Sequence, residues 1–205
     1  MRLPCIVLLA ACVLPPAVRA QDSTHTHEWA FTASVYGYLV PDSPDFLQPT
    51  VTADRRWLHL EGRYNYESPN TGSVWAGWNL HFGSKVTLDF TPMFGVVFGG
   101  INGVAPGTEL TLGWWKLELS SQSEYVIDFD DVSENFLYTW SQLGVSPVEW
   151  LQLGFAVQRT QLFDTGRNIE RGFFASATYK WFDTGVYVFN PDDTPTVVLA
   201  IGASF

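Results

Sequence analysis

Three observations predict an all-β chain, specifically a transmembrane antiparallel up-and-down β-barrel of about 12 strands, with 10 as the alternative count. Apolar and polar residues alternate over long stretches. Hydrophobic residues make up 46% of the 205 positions while charged residues make up only 16%. No segment after residue 20 has the 18 or more consecutive apolar residues of a spanning helix. Soluble domains carry about 25% charged residues, so this surface is too poor in charge for ordinary contact with water. An aromatic content of 16% excludes intrinsic disorder. A mean hydropathy of +0.04 argues against a helical membrane bundle. The net charge of -10 argues against nucleic acid as a partner, because a phosphate backbone repels such a surface.

The chain opens as an address. Met1 and Arg2 precede an apolar run from Leu3 to Leu14, then Pro15, Pro16 and Val18-Arg19-Ala20. This is the pattern of a secretory signal peptide over 1–20, cleaved after Ala20. Both cysteines, Cys5 and Cys12, leave with it, so a mature chain has no thiol for a disulfide, a thiolate metal site or a nucleophile. One rival is that Leu9-Ala10-Ala11-Cys12 resembles a lipoprotein processing site, which would leave a lipid on Cys12. Residues 21–28 read as a mobile N-terminal segment, and 29–205 as the barrel.

Within 29–205 the alternation is of period two, which places successive side chains on opposite faces of a strand. Val197, Leu199, Ile201, Ala203 and Phe205 form one face of the last strand. Leu58, Leu60, Gly62, Tyr64 and Tyr66 alternate with His59, Glu61, Arg63, Asn65 and Glu67. Tight connections are expected at Asp54-Arg55-Arg56, Gly83-Ser84-Lys85, Trp115-Lys116, Ser146-Pro147-Val148 and Asp183-Thr184. Longer polar connections are expected near 41–46, 67–72, 99–107, 129–134, 164–170 and 190–195. Short and long alternate, so the repeating unit is an antiparallel hairpin. The strands predicted are 29–40, 47–54, 57–66, 73–82, 86–98, 108–114, 117–128, 135–145, 149–163, 171–181, 184–189 and 195–205. Pro92 predicts a bulge or a lapse of ladder pairing.

The apolar faces carry Trp29, Phe31 and Val35; Val74, Trp78 and Leu80; Phe136, Tyr138 and Trp140; and Leu151, Leu153, Phe155 and Val157. A closed barrel cannot pack all of these inside, so they are expected to face lipid, and closure satisfies the edge groups. Trp57, Phe82, Trp114, Trp150, Trp181 and Phe205 lie beside the tight turns or at the chain end, where a membrane girdle of aromatic rings would sit.

On the signal segment, this alternation, the two kinds of turn and the terminal Phe205, the chain resembles the Gram-negative outer-membrane β-barrel proteins, as a small porin-like barrel. The resemblance implies an outer-membrane location, contact with outer-membrane lipids and lipopolysaccharide, and recognition of the C-terminal strand by the outer-membrane assembly machinery. It also implies both termini in the periplasm. Small barrels of this kind resemble substrate-specific diffusion channels, some for acidic sugars. Such a solute would want a basic lumen, and only Arg63, Lys180, Arg159 and Arg171 could supply one.

The expected lumen set is His59, Glu61, Arg63, Asn79, His81, Asp89, Glu109, Glu118, Glu124, Gln152 and Lys180. The preferred function is a channel for small solutes. An acidic rim would favour cations and neutral molecules. A closed structural or interaction barrel is the alternative, with Tyr36, Trp75, Trp150 and Phe174 as bulky inward residues. A lipid hydrolase is the third. It would need His59 or His81 within about 3 Å of a hydroxyl such as Ser73, Ser120, Ser141 or Ser176, and no Gly-x-Ser-x-Gly elbow occurs. No catalytic residue, cofactor or metal site is expected. His25-Thr26-His27-Glu28 reads as a mobile tail. Asp128, Asp130, Asp131 and Glu134 read as an exposed acidic loop, with a divalent-cation bridge to lipopolysaccharide phosphates as a hypothesis, and Gly99-Gly100-Ile101-Asn102-Gly103 as a flexible outer loop.

Overall fold

The computed structural model describes residues 28–41, 43–162 and 168–205. The signal segment, Cys12, the His25–His27 tail and part of the loop near 164–170 lie outside the described residues. The strands are β1 (Ala30–Leu39), β2 (Phe46–Arg55), β3 (Leu58–Tyr64), β4 (Thr71–Trp78), β5 (Leu80–Gly83), β6 (Val86–Gly99), β7 (Gly103–Trp114), β8 (Leu117–Asp128), β9 (Phe136–Val148), β10 (Leu151–Leu162), β11 (Asn168–Tyr179), β12 (Phe182–Phe189) and β13 (Thr196–Ser204).

Apart from β4 and β5, which do not pair with each other, strands adjacent in sequence pair antiparallel, and β1 pairs with β13 from Thr32↔Ser204 to Leu39↔Val197. β4 and β5 both pair with β6 and are two pieces of one crossing, so the closed barrel has 12 staves. The break between them has a local cause. The register runs unshifted from Gly77↔Met93 to Leu80↔Phe90, which sets Trp78 opposite Pro92. Proline has no N–H to give to that ladder. Asn79 instead donates its N–H to the Trp57 carbonyl on the other side (2.7 Å). Pairing therefore lapses toward β4–β5 as expected, but no bulge forms, and Pro92↔Thr108 continues the ladder to β7.

Three other expectations need correction. The segment 99–107 is not a long loop. β6 ends at Gly99 and β7 starts at Gly103, with Gly103↔Asp128 already paired. The glycine-rich connection packs on its neighbour, since Gly99 has φ +116 and a Cβ there would lie 2.5 Å from the Asn70 carbonyl oxygen. Two tight turns sit elsewhere than expected, at Glu149–Trp150 and Lys180–Trp181. Ser146-Pro147-Val148 stays in β9, where a register shift near Leu151 absorbs it, and Asp183 and Thr184 lie inside β12.

Phe136, Tyr138 and Trp140 point inward, not outward. Register fixes this, because Trp140 pairs with Gln122 and Gln158, and all three share the lumen face. Tyr66 also turns inward, because β3 ends at Tyr64 and Asn65 takes a left-handed φ of 56°.

The outer surface matches the remaining apolar faces. Phe31, Val35, Val74, Trp78, Phe155, Leu199 and Ile201 are exposed, as are all six expected girdle residues, Trp57, Phe82, Trp114, Trp150, Trp181 and Phe205. An uncovered apolar belt of this extent suits hydrocarbon rather than water. Trp57 stacks on Trp78 (ring centroids 4.3 Å). Trp150 is exposed in the turn and is not an inward residue.

Candidate functional site

Closure brings together inward residues that are far apart in sequence. On β3 the positions opposite Leu60 and Gly62 send His59, Glu61 and Arg63 into the lumen, all buried. Arg63 donates from Nη1 to Glu124 Oε2 on β8 (2.6 Å) and from Nη2 to Glu61 Oε2 (2.8 Å). Its guanidinium lies 4.4 Å from the Tyr66 ring centroid and 4.5 Å from that of Trp75. Carboxylates at Nη1 and Nη2 and two ring contacts compensate this buried charge, while Nε has no hydrogen-bond partner.

Glycines make room for the Trp75 ring. A Cβ on Gly95 would lie 2.5 Å from Trp75 Cδ2, and one on Gly107 would lie 2.9 Å from Trp75 Cζ3. Trp75 also donates to Ser73 Oγ (2.9 Å), and Ser73 donates to Glu67 (2.5 Å).

Several contacts cross the lumen. Arg63 reaches Glu124 past three intervening staves. Tyr66 donates to Gln122 (2.7 Å), and Tyr187 to Gln142 (3.2 Å). The Tyr36 and Trp140 rings meet at 6.1 Å with an interplanar angle of 77°. Buried apolar clusters flank these bridges. One holds Tyr38, Phe174, Phe189 and Val198, the other Trp75, Val97, Val126 and Phe136. A cavity of about 200 Å³ remains between β1–β3 and β7–β9, lined among others by Gln48, Thr50, Glu61, Glu109 and Gln122.

The turn half of the lumen is wetter. Asn79 donates to Asp54 (2.7 Å) and accepts from Thr91 (2.8 Å). His81 pairs with Asp89 at 2.6 Å near the rim. Gln152 donates to Glu118 (3.2 Å) across Gly144, where a Cβ would meet the Gln152 side chain. Gln122 likewise donates to Glu109 (3.1 Å).

Of the expected lumen set, Lys180 alone is misplaced. β11 ends at Tyr179, and Lys180 takes a left-handed φ of 57° in the tight turn, exposed, with its ammonium 5.3 Å from the Tyr179 ring centroid. Arg171 pairs with Asp192 at the loop end (3.0 Å), and Arg159 stands on β10 opposite Thr139 and Ile169.

Sequence reasoning missed Asp54, Tyr66, Glu67, Trp75 as the platform of Arg63, Trp140 and Tyr187. Asp54 could have been found by continuing the parity of Thr50 and Thr52 into the turn. The rest depend on contacts across the barrel.

Hydrogen bonds of both candidate bases go to carboxylates. His59 Nδ1 lies 2.8 Å from Asp54 and His81 Nδ1 2.6 Å from Asp89, while Ser73 serves Glu67 and Ser141 bonds Ser121 (2.8 Å). Among the described residues no serine hydroxyl partners His59 or His81, so the hydrolase arrangement is not formed. In the acidic loop, Asp128 Oδ1 accepts the N–H groups of Asp130 and Asp131, and Asp131 accepts from Ser133. These carboxylates build the turn that carries the short helix Val132–Glu134.

No protein-family model matches the chain, and no curated protein matches it in sequence. Solved structures do. One described as a KdgM porin superposes with a TM-score of 0.63 at 12% identity, covering 85% of this chain and 99% of that one. A second, a KdgM porin in complex with disordered oligogalacturonate, gives 0.64 at 12% identity with the same coverage. The chain has the fold of these porins. A porin fold accounts for the even number of staves, for the start of β1 meeting the end of β13 at the tight-turn end, where Phe31 and Phe205 exchange backbone hydrogen bonds, and for the polar wall inside an apolar belt.

Proposed function

We propose that the protein is an outer-membrane channel of porin type that passes small neutral or cationic solutes through a narrow, side-chain-gated lumen. The observation that carries this reading is the closed 12-stave barrel with carboxylate-rich inner walls around a cavity, in the fold of the KdgM porins. Charge sets the solute class. Asp54, Glu61, Glu109, Glu118 and Glu124 face the interior, Arg63 is held by Glu61 and Glu124, Lys180 is in a turn and Arg171 is paired with Asp192. Polyanions such as the oligogalacturonate of the KdgM complex would meet repulsion rather than a basic track.

On this reading residues 1–20 are removed on export, the belt contacts outer-membrane lipid and lipopolysaccharide, the strand ending at Phe205 is read by the assembly machinery, and both ends lie in the periplasm.

The test is planar-bilayer recording with purified protein. Wild type should give small cation-preferring conductance steps, and Trp140→Ala, which removes a ring meeting Tyr36, Tyr187 and Phe189, should enlarge them. A second reading, a closed scaffold barrel, is favoured by the direct cross-lumen bonds of Arg63, Tyr66 and Tyr187. Silence from both proteins would select it.

A further inference from the structure

His59, Glu61 and Glu109 stand together on the lumen wall although β3 and β7 are separated by two staves. One ligand atom from each lies within 4.8 Å of the others. Gly77 on the intervening β4 pairs with His59 and contributes no side chain between them.

Three features distinguish this group from a chance meeting of acids. First, the imidazole is pre-oriented. Nδ1 lies 2.8 Å from Asp54 Oδ1, and Asn79 donates to the same oxygen (2.7 Å). A carboxylate can only accept, so Nδ1 carries the hydrogen. Second, Nε2 of this residue, which is 4% exposed, is buried and without a hydrogen-bond partner. It lies 3.6 Å from Glu61 Oε2. A carboxylate behind a histidine whose other nitrogen is free is the outer-shell pattern that holds metal-ligating imidazoles. Third, acidic side chains crowd the site. Asp54, Glu61, Glu109 and Glu124 offer four carboxylates against the single guanidinium of Arg63.

We propose that His59 Nε2, Glu61 and Glu109 bind a divalent transition-metal cation, with Asp54 as the positioning residue. A nitrogen and two carboxylate oxygens suit zinc, cobalt or manganese, with water completing the shell. Bond lengths of about 2.0–2.2 Å put tetrahedral ligand atoms about 3.4 Å apart, so the ion would draw the three groups inward by roughly 1 Å. Glu61 can keep Oε2 on Arg63 and give Oε1 to the metal. The site would tie β3 to β7 across the wall whether or not the barrel conducts.

Cobalt(II) titration of full-length mature protein in detergent, without a polyhistidine tag, tests this by visible absorption and calorimetry. The expected result is one tight ion per chain and a rise in thermal midpoint. Glu109→Gln should remove both, with its metal-free midpoint near wild type. Asp54→Asn should weaken binding about 10–100-fold. A double substitution of His25 and His27 to Gln should leave binding unchanged. The proposal is overturned if wild type binds no cobalt, if Glu109→Gln binds like wild type, or if the His25/His27 change abolishes binding. The first outcome would mean that His59 is an imidazolium clamped between Asp54 and Glu61.

Discussion

At the loop half of the lumen, the Arg63 and Glu124 side chains have no solvent exposure and touch at 2.6 Å. At the turn half, His81 and Asp89 touch at the same distance, yet their side chains are 61% and 54% exposed. Both pairs face inward by the same alternation of strand residues. What differs is the wall opposite. Around Arg63 the rings of Tyr66 and Trp75 and the clusters of Val97, Val126 and Phe136 exclude water, whereas no such layer covers the rim. The same ion-pair geometry therefore has opposite energetic meaning, since a desolvated charge depends on its partner and a wet one does not.

Substitutions can break or sharpen that contrast. Arg63→Met leaves Glu61 and Glu124 buried without their cation and should cost about 3–5 kcal/mol of stability. Chemical unfolding in lipid vesicles measures this, and adding Glu124→Gln to the same chain should recover part of the loss. If Arg63→Met is instead as stable as wild type, the loop half is wetter than its geometry implies.

A smaller effect is expected from Gly95→Val. The new Cβ meets the Trp75 ring and should displace the platform under Arg63 for about 1–3 kcal/mol of overpacking. The readout is a lower unfolding midpoint together with a red shift of tryptophan emission. Tyr187→Phe deletes the hydrogen bond to Gln142 while keeping the ring stack on Phe174, and about 1 kcal/mol should be lost. At the turn half, His81→Ala should change stability by no more than about 0.2–1 kcal/mol. A loss comparable to that of Arg63→Met would erase the distinction between the halves.

The smallest effect concerns the loop end. Hydrogen bonding and charge from Arg171 hold the Asp192 carboxyl below its ordinary range. A depressed folded value means that the contribution is complete above the unfolded value of about 3.9 and fades as pH falls through the lower folded one. Unfolding midpoints of wild type and Arg171→Gln should thus differ slightly at neutral pH and converge in acid, below about pH 4.

How much of this was legible beforehand differs element by element. Trp57, Phe82, Trp114, Trp150, Trp181 and Phe205 were placed on the outer rim from their spacing to the turns, and Lys180 alone of the expected lumen residues was misassigned, by a strand end two residues early. Phe136, Tyr138 and Trp140 were assigned to the wrong face because β9 carries large apolar groups on both sides, leaving alternation without contrast. Asp54 was hidden by its nearness to a turn, and Tyr66 by the reversal at Asn65.

Alternation along each strand is a local property with a period of two, so the chain by itself determined that these segments are strands and, where one face is polar, which face repels water; the choice between 10 and 12 staves waited for the closed barrel. Which inward residues meet was decided only in the closed barrel. Arg63 finding Glu124, and Glu109 finding His59, depend on the registers of every intervening strand, and no pattern along a single strand encodes their cumulative offset.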